Sequence, residues 1–315
     1  MNSTLLADNS EASLKKFLNT LSPVDEVGAK ARVEMLATRS IKTSSKNWAI
    51  DLAIRMVDLT TLEGADTPGK VRALCAKGVY PDPTDLSVPS VGAICVYNDM
   101  VKIARQALDA GGGKDIPVAA VSTAFPSGRA SMEVKVQDTR DAIANGASEI
   151  DMVIDRGAFL AGKLGFVFDQ IKAIKEVCGD KVHLKVILET GELVTLDNVR
   201  KASYLAMLAG ADFIKTSTGK VAPAATTPVV YVMLEAVRDY YKLTGNRIGV
   251  KPAGGIRNTK DAIKQLVLVN EIAGPEWLDP SLFRIGASAL LNDLLMQRMK
   301  MRDGYYASPN YVTLD

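Results

Sequence analysis

Residues 182–220, VHLKVILETGELVTLDNVRKASYLAMLAGADFIKTSTGK, contain one full repeat of the pattern that runs through this chain. VHLKVIL (182–188) is apolar, rich in β-branched residues and too short for an ordinary helix, which marks a strand. NVRKASYLAMLAGA (198–211) spaces its apolar residues three and four apart and has a glycine near its end, as an amphipathic helix does. DFIKTST (212–218) is the next strand. Upstream, IRMVDLT (54–60), GAICVY (92–97), IPVAAVS (116–122) and EIDMVI (149–154) repeat the strand signal, and RIGVKPA (247–253) and LFRIGAS (282–288) repeat it downstream. From the second onward the runs start every 24 to 35 residues, the length of a strand–helix unit. Eight such units in about 250 residues predict an α/β fold of the closed (β/α)8 TIM-barrel kind. An open doubly wound sheet also alternates strand and helix, but no GxGxxG follows the first strand here.

Residues 1–45 carry two helical segments, EASLKKFLNTL and VGAKARVEMLATRS, divided by Pro23. They predict an N-terminal helical extension, with the barrel spanning 46–301 and a turn-rich aromatic tail, RDGYYASPNYVTLD, over 302–315. The chain of 315 residues is 47% hydrophobic and 23% charged, enough apolar material for a sizeable core. Its net charge is +2, with basic residues scattered, so no nucleic-acid face is expected. Asp8 and Glu11 precede any apolar run, which does not read as a secretory signal, and no stretch approaches the ~20 apolar residues of a membrane helix. Cys75, Cys95 and Cys178 are odd in number and lack a CxxC spacing, which predicts reduced thiols in the cytoplasm. His183 is the only histidine, so a multi-histidine metal site is excluded and acid–base chemistry falls to carboxylates, lysines or water.

Chemistry in such a barrel sits where strands end. Asp58 and Thr60 end the first run, Asp151 lies in the fourth, Lys185 in the fifth, Lys215 in the sixth and Lys251 in the seventh. Charged groups are almost never fully buried unless paired. An internal salt-bridge cluster is one reading. The other notes that Lys215 and Lys251 sit on adjacent strands at similar depth, about 4.8 Å apart across the sheet. Two inward ammonium groups there repel by about 3 kcal/mol, roughly 2 pKa units, and desolvation adds to it. A neutral lysine is a nucleophile toward carbonyls and forms Schiff bases. A second pattern is anionic: STGK (217–220), PAGGIR (252–257) and IGAS (285–288) put small residues ahead of helix N-termini, where backbone N–H groups meet phosphate.

The blocks VDLTTL (57–62), AICVY (93–97), EIDMVI (149–154), LKVILETGEL (184–193), DFIKTSTGK (212–220), KPAGGIR (251–257) and FRIGAS (283–288) together resemble the deoxyribose-phosphate aldolase family, over about residues 50–296. The resemblance implies a class I aldolase that needs no metal or cofactor. Its substrates would be small phosphosugars and aldehydes, and homo-oligomerisation is left open. By motif position Lys215 resembles the Schiff-base lysine, Lys251 the lysine that perturbs it, and Asp151 the carboxylate that shuttles protons through water. Thr218, Gly219, Lys220, Gly254, Gly255, Gly286 and Ser288 match the phosphate-binding face, and Thr60 and Cys95 match positions lining the mouth. Ala289 stands where many members have a second serine, which removes one phosphate hydroxyl. The chain ends VTLD where bacterial members finish in a tyrosine, and none of Tyr305, Tyr306 and Tyr311 is singled out as its substitute. Two alternatives stay open at this point: a Schiff-base aldolase or transaldolase for another phosphosugar, and a phosphosugar-binding barrel without catalysis.

Overall fold

The computed structural model describes residues 5–6 and 8–313. Three helices come first: α1 (Glu11–Leu18), α2 (Glu26–Ala37) and α3 (Thr43–Met56). Then strands and helices alternate: β1 (Val57–Thr60), α4 (Pro68–Val79), β2 (Ala93–Tyr97), α5 (Val101–Ala110), β3 (Val118–Ser122), α6 (Met132–Ala144) and β4 (Glu149–Val153). Next come α7 (Arg156–Leu160), α8 (Leu164–Cys178), β5 (His183–Ile187), α9 (Leu196–Leu208), β6 (Phe213–Lys215) and α10 (Thr227–Thr244). The series finishes with β7 (Gly249–Lys251), α11 (Thr259–Ile272), β8 (Ile285–Ala287) and α12 (Leu290–Asp303). All eight strands run parallel in the order β7-β6-β5-β4-β3-β2-β1-β8. Parallel bridges from Val250 to Phe283 and from Ala253 to Gly286 bring β7 back to β8 and complete the (β/α)8 barrel.

One run divides differently from its sequence pattern. Residues 54–56 of IRMVDLT are the last turn of α3, and the strand begins only at Val57. An apolar run at the end of a buried helix looks the same as the start of a buried strand, so periodicity alone does not locate the change.

Local chemistry sets the helix starts. The side chains of Ser10, Asp25, Thr67, Ser131, Asp155, Thr195 and Asn258 each accept a hydrogen bond from a first-turn N–H. The outward strand residues, such as Leu59, Ile94, Ile150, Val186 and Ile214, pack with the inner faces of the helices in one continuous apolar layer. The hydrophobic effect holds that layer together, at about 25 cal/mol for each Å² of apolar surface withdrawn from water. α1 packs on α8 and α9, and α2 on α10 and α11, so both lie on the outer helical ring.

The tail also lies on that ring. Val312 is buried, and the Thr313 carbonyl accepts from Lys77 Nζ at 2.8 Å and Asn292 Nδ2 at 3.1 Å. Tyr305, Tyr306 and Tyr311 are exposed, with Lys300 Nζ 3.7 Å from the centroid of the Tyr306 ring. Residues 314–315, the end of the VTLD segment, fall outside the described residues.

Candidate active site

Strand alternation decides which side chains enter the barrel. Phe213 and Lys215 point inward from β6, and Gly249 and Lys251 from β7, with Lys215 and Lys251 as register partners. A side chain on Gly249 would collide with the Phe213 ring, so glycine is what lets that ring fill the barrel below the lysines. Gly286 plays the same part higher up: a Cβ there would stand 3.3 Å from Lys251 Cε and 2.9 Å from Ala253 Cβ.

The buried charges form a closed figure. Arg284 Nη1 is 2.7 Å from Asp58 Oδ1, and Lys251 Nζ is 2.5 Å from Asp58 Oδ2. Lys251 Nζ is also 2.7 Å from Asp151 Oδ2, and Lys185 Nζ is 3.4 Å from Asp151 Oδ1. Lys185 then pairs with Glu149, which returns to Arg284 Nη2 at 3.2 Å. Three cations and three carboxylates alternate around this ring, and it is neutral. Lys215 is the fourth cation. It hangs on the ring through one contact, Nζ to Asp151 Oδ2 at 2.7 Å.

Both sequence readings are therefore partly right. Lys215 and Lys251 do come together, but a shared carboxylate oxygen lies between them, so the pair is bridged and does not meet head to head. Burial would pull the Lys251 proton off, yet Asp151 and Asp58 overcome it and hold the ammonium well above its ordinary range. Burial opposes ionisation of Asp151 too, and the charges of Lys215, Lys251 and Lys185 win, holding the carboxyl well below the usual range. Asp58 is lowered in the same way by Lys251, Arg284 and Lys185 against its burial.

The opposite wall is apolar: Cys95, Ala119 and Val121 from β2 and β3 pack with Leu62, and Tyr97 and Phe125 meet edge-on at 5.9 Å. Burial pushes the Cys95 thiol up despite Lys251 and Lys215 nearby, so it lines the wall as a neutral, poorly nucleophilic group. Thr60 pairs in register with Cys95 and spends its hydroxyl on the Asp58 carbonyl at 2.7 Å.

Among the expected phosphate ligands, some are open and some are engaged. Among the described residues no hydrogen bond occupies the N–H of Gly219, Gly254, Gly255 or Ser288. Gly219, Gly254 and Gly255 have φ of 78°, 80° and 90°, which glycine adopts without strain. The Gly286 N–H is bonded to the Pro252 carbonyl at 2.9 Å. Both donors of Thr218 are bonded to Glu189. Lys220 Nζ reaches across the mouth to Glu63 Oε1 at 2.9 Å. Ala289 is the N-cap of α12 and makes no side-chain cap.

A family model for DeoC/LacD family aldolases matches residues 52–295. The chain belongs to the DeoC/LacD aldolase family. Human deoxyribose-phosphate aldolase is 46% identical over 288 residues, covering 88% of this chain and 89% of its own. The mouse enzyme of that name is 45% identical over 283 residues, covering 87% and 88%. A solved structure of deoxyribose phosphate aldolase from Aeropyrum pernix shares the fold, with a TM-score of 0.59 at 23% identity, covering 81% of this chain and 96% of that one.

Three groups of this DeoC/LacD aldolase escaped sequence reasoning. Glu149 lies two residues before Asp151, on the same strand face, so strand alternation alone could have found it. Arg284 sits two before Gly286 in LFRIGAS and could have been found the same way. Glu189 follows the fifth run, and only its tertiary partner Thr218 reveals it.

Proposed function

We propose that the chain is a deoxyribose-phosphate aldolase, cleaving 2-deoxy-D-ribose 5-phosphate reversibly to acetaldehyde and D-glyceraldehyde 3-phosphate through an imine on Lys215. The charge count of the buried cluster carries this assignment. Loss of one proton makes the cluster neutral overall, and neutrality is what a low-dielectric interior favours. Lys251 holds its proton between two carboxylates, whereas Lys215 shares only one. Lys215, the cation with a single partner, is therefore assigned as the nucleophile.

The amine attacks C1 of the open-chain sugar, and the carbinolamine loses water to give an iminium ion. The C3 hydroxyl then loses its proton, the C2–C3 bond breaks, and its electron pair moves to C2 as the iminium becomes an enamine. Glyceraldehyde 3-phosphate departs as the aldehyde. Protonation of the enamine at C2 and addition of water release acetaldehyde and the free lysine. Asp151 Oδ1 accepts no hydrogen bond in the cluster, which suits it to hold the water that relays the C3 proton. Lys251 serves as a fixed positive charge beside the nucleophile. The N–H groups of Gly219, Gly254, Gly255 and Ser288, with Lys220, hold the phosphate. That remote contact orients the sugar, so the unphosphorylated sugar reacts more slowly.

Catalysis is assigned to the barrel, 46–301, with 1–45 as an extension and 302–315 as a tail. Three free, buried thiols fit a reducing, cytoplasmic setting, and no helix among the described residues is long and apolar enough to cross a membrane. Acetaldehyde release from deoxyribose 5-phosphate in the presence of a chelator tests the assignment. Turnover unaffected by the chelator is expected; no release, or release that the chelator stops, would overturn it.

A further inference from the structure

Glu189 is a fully buried carboxylate that the charge ring does not include. It follows β5 with φ 54° and ψ 59°, a left-handed backbone that side chains other than glycine, asparagine and aspartate rarely adopt. Among the described residues no ion pair reaches it. Its two oxygens instead lie 3.2 and 3.4 Å from the Thr218 N–H nitrogen, and Oε2 accepts the Thr218 hydroxyl at 2.5 Å. That hydroxyl in turn accepts the Lys220 N–H at 3.1 Å. The flanking main chain adds Leu188 N–H to the Lys215 carbonyl and Thr190 N–H to the Thr216 carbonyl, both at 2.9 Å. One segment, 188–190, thus clamps the chain from the proposed imine lysine to the proposed phosphate lysine. Burial pushes the Glu189 carboxyl up, against the lowering effect of the Thr218 donors.

We propose that Glu189 is a positioning residue for the phosphate end of the substrate: by holding Thr218 it sets the direction of the Gly219 N–H and of Lys220. Thr218 then belongs to the frame of the loop and does not touch the phosphate. The proposal rests on the phosphosugar reading given above. The chemistry of the clamp explains why an acid stands there. The Thr218 N–H and O–H are both donors, and they meet different oxygens, the N–H nearer Oε1 and the hydroxyl on Oε2, so the partner has to accept at both of its end atoms. A carboxylate does so, while the amide of glutamine accepts at one atom and turns donors on the other.

Glu189→Gln is expected to raise KM for deoxyribose 5-phosphate about tenfold and to weaken inhibition by inorganic phosphate by a similar factor. Its kcat, and its kcat/KM for unphosphorylated deoxyribose, should stay within about twofold. Thr218→Val should reproduce this pattern, Thr218→Ser should remain near the parent, and Glu189→Gln with Thr218→Val should be no worse than either alone. Equal losses with both sugars, unchanged phosphate inhibition, or multiplying effects in the double variant would overturn the proposal. Thr218→Val carries the same test if Glu189→Gln does not fold. Inorganic phosphate binding, read as a rise in melting temperature, needs no turnover. A parent protein that binds phosphate but cleaves no sugar would sink the aldolase reading, while weaker phosphate binding in Glu189→Gln would still support the clamp.

Discussion

Replacing Lys251 by methionine removes the surplus positive charge of the buried cluster. Arg284, Lys185 and Lys215 then face Asp58, Asp151 and Glu149, three against three, and the charge on Lys215 changes from surplus to required. Both lysine nitrogens lie 2.7 Å from the same Asp151 oxygen, so they are at most twice that distance, about 5.4 Å, from each other. At an effective dielectric near 20, a unit charge at that range repels another by about 3 kcal/mol, equivalent to roughly two pH units. Removing it should shift the rising limb of the pH–rate profile upward by about two units and cut kcat/KM at neutral pH about a hundredfold, with recovery in alkali. Lys251→Arg, which keeps the charge, should leave the limb near its parent position. The assay is initial-rate acetaldehyde release across the neutral and alkaline range, on protein shown by circular dichroism to be folded. A methionine variant whose rate falls while the limb stays in place would refute the electrostatic role of Lys251.

Other outcomes follow from the same geometry. Lys215→Met should abolish turnover yet leave the melting temperature equal or higher, because it removes the one buried cation the ring does not need; a large drop in stability would show that Lys215 is part of the frame. Asp58 and Asp151 are held below their unfolded values, so their contribution to stability is complete above about pH 4 and is lost as pH falls through the lower folded values; Asp58→Asn should cost about 3–5 kcal/mol at neutral pH and flatten the acid limb, measured by urea titration at several pH values. Glu63→Gln frees Lys220 from an exposed pair, so stability should change by less than about 1 kcal/mol while KM for the phosphorylated sugar falls, and an unchanged KM would show that the pair does not compete with phosphate.

Much of this was legible in the sequence because strands alternate. The runs EIDMVI, DFIKTST and RIGVKPA place Asp151, Lys215 and Lys251 on the inward face, and register then sets Lys215 beside Lys251 and Asp151 beside Lys185. The family resemblance expected from these blocks holds over residues 52–295. Hidden in the sequence was how the charges pair. Sequence separates Asp58 from Arg284 by 226 residues, and only closure of β1 against β8 makes them neighbours. Repulsion between two lysines could be anticipated from adjacent strands, whereas the bridging oxygen of Asp151 required the barrel's curvature to turn three strands toward one point. By motif position Thr218 falls on the phosphate face, and its bond to Glu189, 29 residues away on another loop, cannot be read from the sequence. The start of β1 was obscured because Ile54 and Met56 are as buried at the end of α3 as Val57 is in the strand.

Borohydride reduction during turnover, followed by peptide mass mapping, tests the central assignment most directly. Trapping should attach an ethyl group derived from acetaldehyde to the peptide carrying Lys215, and to no other lysine. Attachment at Lys251 or Lys185, or an active enzyme that cannot be trapped at all, would contradict it.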